Sequence, residues 1–145
     1  MIPQHVSDDH IREILQSVQT IALVGLSANK ARDSNVVFGF LLRHGYAVVG
    51  VNPGLAGQTI LGAPVYAHLA DVPCTIDMVD IFRNPEAAGA TIDEALLLSP
   101  LPKIIWMQLG VINAPAAAKA RAAGVEVVMD RCPKIEIARL AVPAL

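Results

Sequence analysis

Five short apolar runs recur along the chain: IALVG (21–25), YAVVGV (46–51), IDMVDIF (76–82), KIIWMQ (103–108) and VEVVMD (125–130). A strand with one wet face alternates apolar and polar residues. These runs are nearly continuous, so each reads as a strand covered on both faces. Helical patterns lie between most of them. Covered strands separated by helices predict a parallel sheet, because parallel neighbours need a long crossover connection.

The helices announce themselves by their ends. Ser7 can cap a helix over 8–19, with Asp8 and Asp9 placed for the helix dipole and Ile11, Ile14, Leu15 and Val18 on one face. Ser34 can cap a second helix that Gly45 ends, with Val37, Phe40 and Leu41 turned inward. Asn84-Pro85 predicts a start for a helix over 86–98, and Asn113 caps the alanine-rich 114–123 before Gly124. Pro133 opens a last helix over 134–140. Residues 55–73 carry less pattern. QTILGAPVY reads as one short extended piece and a turn, and AHLADV as a helical turn stopped by Pro73. With right-handed crossovers the whole predicts an α/β, Rossmann-like, doubly wound parallel sheet of about five strands, one domain over 1–145.

Composition narrows the partners. The net charge is −2 and there is no basic block, so no footprint for nucleic acid is expected. No apolar run reaches the ~18 residues of a membrane span. MIPQHVSDDHIRE is too polar and acidic for a signal or transit peptide, so a cytoplasmic protein is expected. Cys74 and Cys132 form no CxxC pair and read as free thiols. His5, His10, His44 and His68 are scattered without HxxxH or HExxH spacing, so no metal site is expected.

In an open α/β sheet, ligands bind beyond the carboxyl ends of the strands. That rule selects the loops holding Ser27, Lys30, Arg32, Ser34, Asn52, Arg83, Gln108 and Arg131. Gly25 allows a tight turn after the first strand, and the next helix start offers N–H groups to an anion. Ser27 and Ser34 can donate to phosphate oxygens, while Lys30 and Arg32 add charge. The second strand ends VGVNP, with neutral Asn52 where NAD-binding domains carry an acid for the ribose hydroxyls. A neutral residue there tolerates a phosphorylated ribose. NADP satisfies this charge logic, and so does coenzyme A with its 3′-phosphate.

Taken together, VGLS followed by R-x-S, GYAVVGVNP, GAPVY, DMVDIFR, IIWMQLGV and VVMDRCPKIEIARL resemble the small stand-alone CoA-binding proteins. These are similar to the CoA-binding domain of the succinyl-CoA synthetase alpha subunit. The resemblance runs from the first strand to Leu140. It implies CoA or an acyl-CoA lying across the strand ends. By position it implies that Gly25, Leu26 and Ser27 line the phosphate and pantetheine path, and that Arg32 and Ser34 contact phosphate. Asn52 and Pro53 would border the nucleotide, Phe82 and Arg83 wall the pocket, and Gln108 and Gly110 close it. The synthetase domain follows its second-strand proline with glycine and lysine. Here Leu55 stands at the lysine's place, so cations must come from Lys30, Arg32 or Arg83. No histidine follows the fourth or fifth strand, so a ligase reaction by this chain alone is not expected.

Catalytic patterns are otherwise missing from the sequence: neither a GxSxG elbow nor a Walker A loop occurs. Cys132, at a helix start beside Arg131 and Lys134, suits a mixed disulfide with the CoA thiol. Alternatively it packs as a small hydrophobe, with Asp130 pairing to Arg131 or Lys134. Trp106 reads as core, and Asp80 as a structural acid that could neutralise Arg83. The expected function is a non-catalytic module for CoA or acyl-CoA. An NADP-dependent oxidoreductase domain is the alternative, and an interaction protein with a decayed pocket is the third. The alanine-rich helix suits packing on the sheet or on a second subunit equally.

Overall fold

The computed structural model describes residues 6–145, and the five expected strands lie side by side in one sheet. Helix α1 (Asp8–Ser17) leads to strand β1 (Thr20–Val24), helix α2 (Asp33–Arg43) and strand β2 (Ala47–Val51). A hairpin of β3 (Thr59–Ile60) and β4 (Ala63–Tyr66) follows. Then come β5 (Met78–Ile81), α3 (Pro85–Ala95), β6 (Ile104–Met107), α4 (Ala114–Ala122), β7 (Glu126–Val128) and α5 (Pro133–Arg139). Short 3-10 turns occupy Pro53–Leu55 and Leu69–Asp71.

The sheet therefore has seven strands rather than about five, in the order β3-β4-β2-β1-β5-β6-β7. Only β3 runs antiparallel to its neighbour. The two unexpected strands come from QTILGAPVY. Its two-residue turn puts Leu61 at φ 51° and Gly62 at φ 83°. That is the backbone of a type I′ hairpin, but a leucine at the first turn position hides the usual Asn-Gly signal. Strand β4 then pairs in parallel with β2, through Gly50↔Val65 and Val51↔Tyr66. The crossover from β2 thus carries a hairpin where a helix would ordinarily stand.

Side chains alternate between the two covered faces. Ile21, Leu23, Trp106 and Val128 pack with Ile11, Leu15, Phe38, Leu41 and Ile137 of α1, α2 and α5. Ala22, Val24, Val79, Ile81 and Met107 pack with Ala88, Ile92, Ala117 and Ala120 of α3 and α4. Burial on both faces is why these strands read as continuous apolar runs. Phe38, not Phe40, is the buried aromatic of α2; Phe40 is half-buried and stacks on His44 with ring centroids 5.5 Å apart. Trp106 is fully buried and donates its indole N–H to the Arg131 carbonyl at 2.8 Å.

Three of the expected caps form. Ser7 accepts from His10 N at 3.2 Å, Asn84 from Ala87 N at 2.8 Å, and Asn113 from Ala116 N at 3.1 Å. Ser34 does not cap α2. The helix begins two residues earlier than that cap requires, at Asp33, with Arg32 at the cap and no side-chain cap bond. Helices α1 and α3 also stop short of expectation, at Ser17 and Ala95. Among the described helices none is long and apolar enough to cross a membrane. His5 lies outside the described residues.

One surface contact ties α1 to the edge strand. His10 Nε2 lies 2.5 Å from Glu126 Oε2, and this hydrogen bond holds the imidazole pKa above its ordinary 6.5. A raised value means the pair stabilises the fold fully below about pH 6.5 and loses that effect as pH rises through the folded value. The ring is 41% exposed, so solvent screens the pair. Urea titrations should find His10→Ala costing up to about 1 kcal/mol at pH 5.5 and almost nothing at pH 9.

Candidate functional site

Strand order reverses between β1 and β5, because β1 crosses over to β2 on one side while β5 crosses to β6 on the other. Ligand crevices of doubly wound sheets open at such a reversal. The backbones there nearly touch. Gly25 has φ 92°, and a Cβ on it would stand 2.1 Å from the Phe82 carbonyl oxygen. Its N–H donates to Val51 O at 3.0 Å, while Phe82 N donates to Val24 O at 2.8 Å, so the end of β1 is braced against both neighbours. Leu26 then turns inward, fully buried over Gly50 of β2.

The loop beyond is held by its own polar side chains. Ser27 N donates to Ser34 Oγ at 3.0 Å, and Asn35 Nδ2 to Ser27 O at 2.9 Å. Asn29 N donates to Ser27 Oγ at 3.1 Å, and Ala31 N to Asn29 Oδ1 at 3.0 Å. Helix α2 therefore begins from a preformed turn, with its amino end facing the crevice. Asn52 anchors the same loop from the other side. Its Nδ2 donates to Leu26 O at 2.8 Å and its Oδ1 accepts from Gly54 N at 2.8 Å. An aspartate could not donate to Leu26 O. The neutral residue at the end of β2 thus has a structural cause as well as an electrostatic consequence.

Two adjoining cavities of about 340 and 400 Å³ share Phe82 and Asp33. The first lies over Gly25, Ser27, Arg32 and Ser34. The second runs between α2 and α5, past Arg83, Gln108, Val111, Cys132 and Ile135. Larger depressions of about 600 and 530 Å³ border β7 at the edge of the sheet. The smaller pair marks the candidate site, since it alone sits at the strand-order reversal.

Of the sequence-selected residues, Gly25, Ser27, Arg32, Ser34, Phe82, Arg83 and Gln108 line these cavities. Leu26, Lys30, Asn52, Pro53, Gly110 and Arg131 do not. Leu26 is core, Asn52 is spent on the loop, and Pro53 is exposed in its turn. Gly110, at φ 78°, donates its N–H to Asp130 Oδ1 at 2.7 Å. Asp33, Val36 and Ile135 line the second cavity without having been singled out, and so do Val37, expected only as core, and Lys134, expected only as a neighbour of Cys132. The one available signal was helical spacing after the glycine turn, which puts 33, 36 and 37 on one side of α2.

Arg12, Lys103, Lys119, Arg131 and Arg139, away from the crevice, each meet a carboxylate. Among the described residues Lys30, Arg32, Arg83 and Lys134 have none, although Lys134 Nζ lies 5.9 Å from the Phe40 ring centre. Arg43 and Arg121, away from the crevice, also have no carboxylate partner among the described residues, so pairing alone does not mark the site. Asp33 is the one carboxylate in the lining, and it opposes any anion bound there. Asp130 pairs with neither Arg131 nor Lys134: it is bound to the Gly110 amide, and Arg131 pairs with Glu136 at 2.9 Å. Asp80 does not neutralise Arg83 either. It is fully buried, and burial pushes its carboxyl pKa well above the ordinary range. Cys132 is 6% exposed and sits at the start of α5 without a cap bond.

A family model described as a CoA binding domain matches residues 19–138. The chain belongs to the CoA-binding domain family. Within it, a Bacillus subtilis (strain 168) relative, the "uncharacterized protein YneT", is 33% identical over 132 residues, covering 91% of this chain and 95% of that one. A solved "hypothetical protein" from Pyrococcus horikoshii OT3 superposes with a TM-score of 0.88 at 36% identity, covering 97% and 99% of the two chains. The Thermus thermophilus structure of cell-free ID.343 gives 0.87 at 32% identity, covering 93% and 99%. The Rossmann-like fold and the likeness to the succinyl-CoA synthetase type of domain are thus those of the family.

Proposed function

We propose that the chain is a single non-catalytic module over 1–145 that binds coenzyme A or an acyl-CoA in the crevice between β1 and β5. The observation that carries this reading is a pair of joined cavities at the strand-order reversal, one beside polar loop groups and Arg32, the other largely apolar with Arg83 and Lys134 in its lining. The phosphates would rest on the β1–α2 loop, against Ser27, Arg32 and the first N–H groups of α2. The pantetheine arm would pass Phe82 into the cavity of Gln108, Val111 and Ile135. Cavities of this size suit a small ligand. Asn52 would contribute by ordering Leu26 and Ser27 rather than by touching the ligand. A cytoplasmic setting would suit such a ligand and two unpaired cysteines.

Thermal shift with four ligands tests the class. CoA and acetyl-CoA, at about one hundred times their Kd, should stabilise the fold by about 2.7 kcal/mol. NAD should do nothing measurable, and NADP should give a smaller shift. A larger shift with NADP than with CoA would replace this reading by the oxidoreductase one. No shift with any of the four would leave an interaction protein.

A further inference from the structure

Strand β5 carries one side chain that a covered strand should not tolerate. Asp80 is fully buried between Leu23 of β1 and Trp106 of β6, on the face covered by α1, α2 and α5. Its ionised form would need several donors or a cation. Among the described residues the one polar side chain within reach is Gln108, at the carboxyl end of β6 on the same face. The near terminal atom of the Gln108 amide lies 2.9 Å from Asp80 Oδ1 and 3.2 Å from Oδ2. Gln108 is itself 4% exposed, yet it lines the apolar cavity.

The amide of glutamine has two unlike ends, and whatever fixes one end chooses the other. If Asp80 is an uncharged acid, its O–H can donate to Gln108 Oε1, which turns the Gln108 NH₂ to the cavity. If Asp80 is ionised, it accepts from the NH₂ and Oε1 faces the cavity. The first arrangement avoids a buried charge compensated by a single amide. The charged and titratable side chains lining the same cavity are Asp33, Arg83, Lys134 and Cys132; Glu136 of α5 is held by Arg131 and Arg139.

We propose that Asp80 is a positioning residue: its buried carboxyl donates to Gln108 and so holds the Gln108 NH₂ toward the cavity, as a donor for a carbonyl of the ligand. The ligand half of this rests on the reading of the site as a CoA crevice. Two carbonyl sources exist on such a ligand, the amides of the pantetheine arm and the thioester of an acyl group.

The experiment has two arms. In the uncomplexed protein, carboxyl ¹³C NMR should show Asp80 at its protonated shift from pH 5 to 8, with fast solvent exchange of the Gln108 NH₂ protons. An ionised Asp80, or Gln108 NH₂ protons protected from exchange whatever the charge of Asp80, overturns the proposal. In the second arm, calorimetry compares CoA, acetyl-CoA and 3′-phospho-ADP, which lacks the arm. Asp80→Asn, which can still donate to Gln108, should bind CoA within about threefold of wild type. Asp80→Val should bind it about tenfold more weakly, the worth of one hydrogen bond, with 3′-phospho-ADP unchanged. A loss for acetyl-CoA alone assigns the thioester, and an equal loss for both assigns the pantetheine amide. Equal losses that extend to 3′-phospho-ADP, or no loss at all, overturn the positioning role. Should wild type bind no CoA, the proposed function falls, while the NMR arm still decides how Asp80 holds Gln108.

Discussion

Gly25→Ala should unfold at a Tm lower by about 10 °C or more. The new Cβ would stand 2.1 Å from the Phe82 carbonyl oxygen, and that oxygen is backbone, so no rotamer change relieves the overlap. Residue 25 also sits at φ 92°, a conformation that costs any L side chain about 1–2 kcal/mol. Both neighbours of β1 are pinned here, through Gly25 N to Val51 O and Phe82 N to Val24 O. Relief must therefore come from pulling β1 away from β5. The expected total is about 3–5 kcal/mol, among the larger single-residue losses. Gly124→Ala is the control. It has φ 91° but open space around the added methyl, so it should lose only the conformational part. Urea denaturation that found the two variants equally destabilised would mean the close approach of β1 and β5 is unimportant. Any folded Gly25→Ala fraction should also fail to gain stability from CoA.

That glycine was legible early because a turn after a buried strand has few alternatives. The central strands were legible for the same kind of reason: burial on both faces leaves continuous apolar runs. The β3–β4 hairpin was not, since Leu61 in a left-handed turn follows no common turn signal. Helix caps were mostly legible. Asn84 and Asn113 cap as their positions suggest, whereas Ser34 is drawn off by the Ser27 amide seven residues earlier, a contact that exists only once the loop closes. Asn52 shows the deeper difficulty. Its neutrality could be read, but not that both ends of its amide are occupied by backbone. Residues of α5 such as Lys134 and Ile135 reach the cavity only through the packing of α5 beside α2, which no local pattern encodes.

Arg32→Ala should weaken CoA by about ten- to a hundredfold and leave dephospho-CoA almost unaffected. Arg32 is exposed at the cap of α2; its carbonyl accepts from Asn35 N and Val36 N, but its side chain makes no hydrogen bond to the helix and has no carboxylate partner among the described residues. Nothing in the fold therefore competes for its guanidinium, and little stability should be lost with it. A charge-assisted bond to a phosphate is worth roughly 1.5–3 kcal/mol, which sets the expected range. Exposure makes the effect salt-dependent: it should shrink as ionic strength rises above about 0.1 M, where the Debye length is about 10 Å. Arg32→Lys should recover only part of the loss, because a planar fork matches two phosphate oxygens and an ammonium does not. The neighbouring acid supplies the opposite sign. Asp33 lines both cavities, so Asp33→Asn should tighten CoA several-fold. Equal weakening of CoA and dephospho-CoA by Arg32→Ala would move the guanidinium to the diphosphate. No weakening of either, together with no gain from Asp33→Asn, would mean that the amino end of α2 does not receive the phosphates.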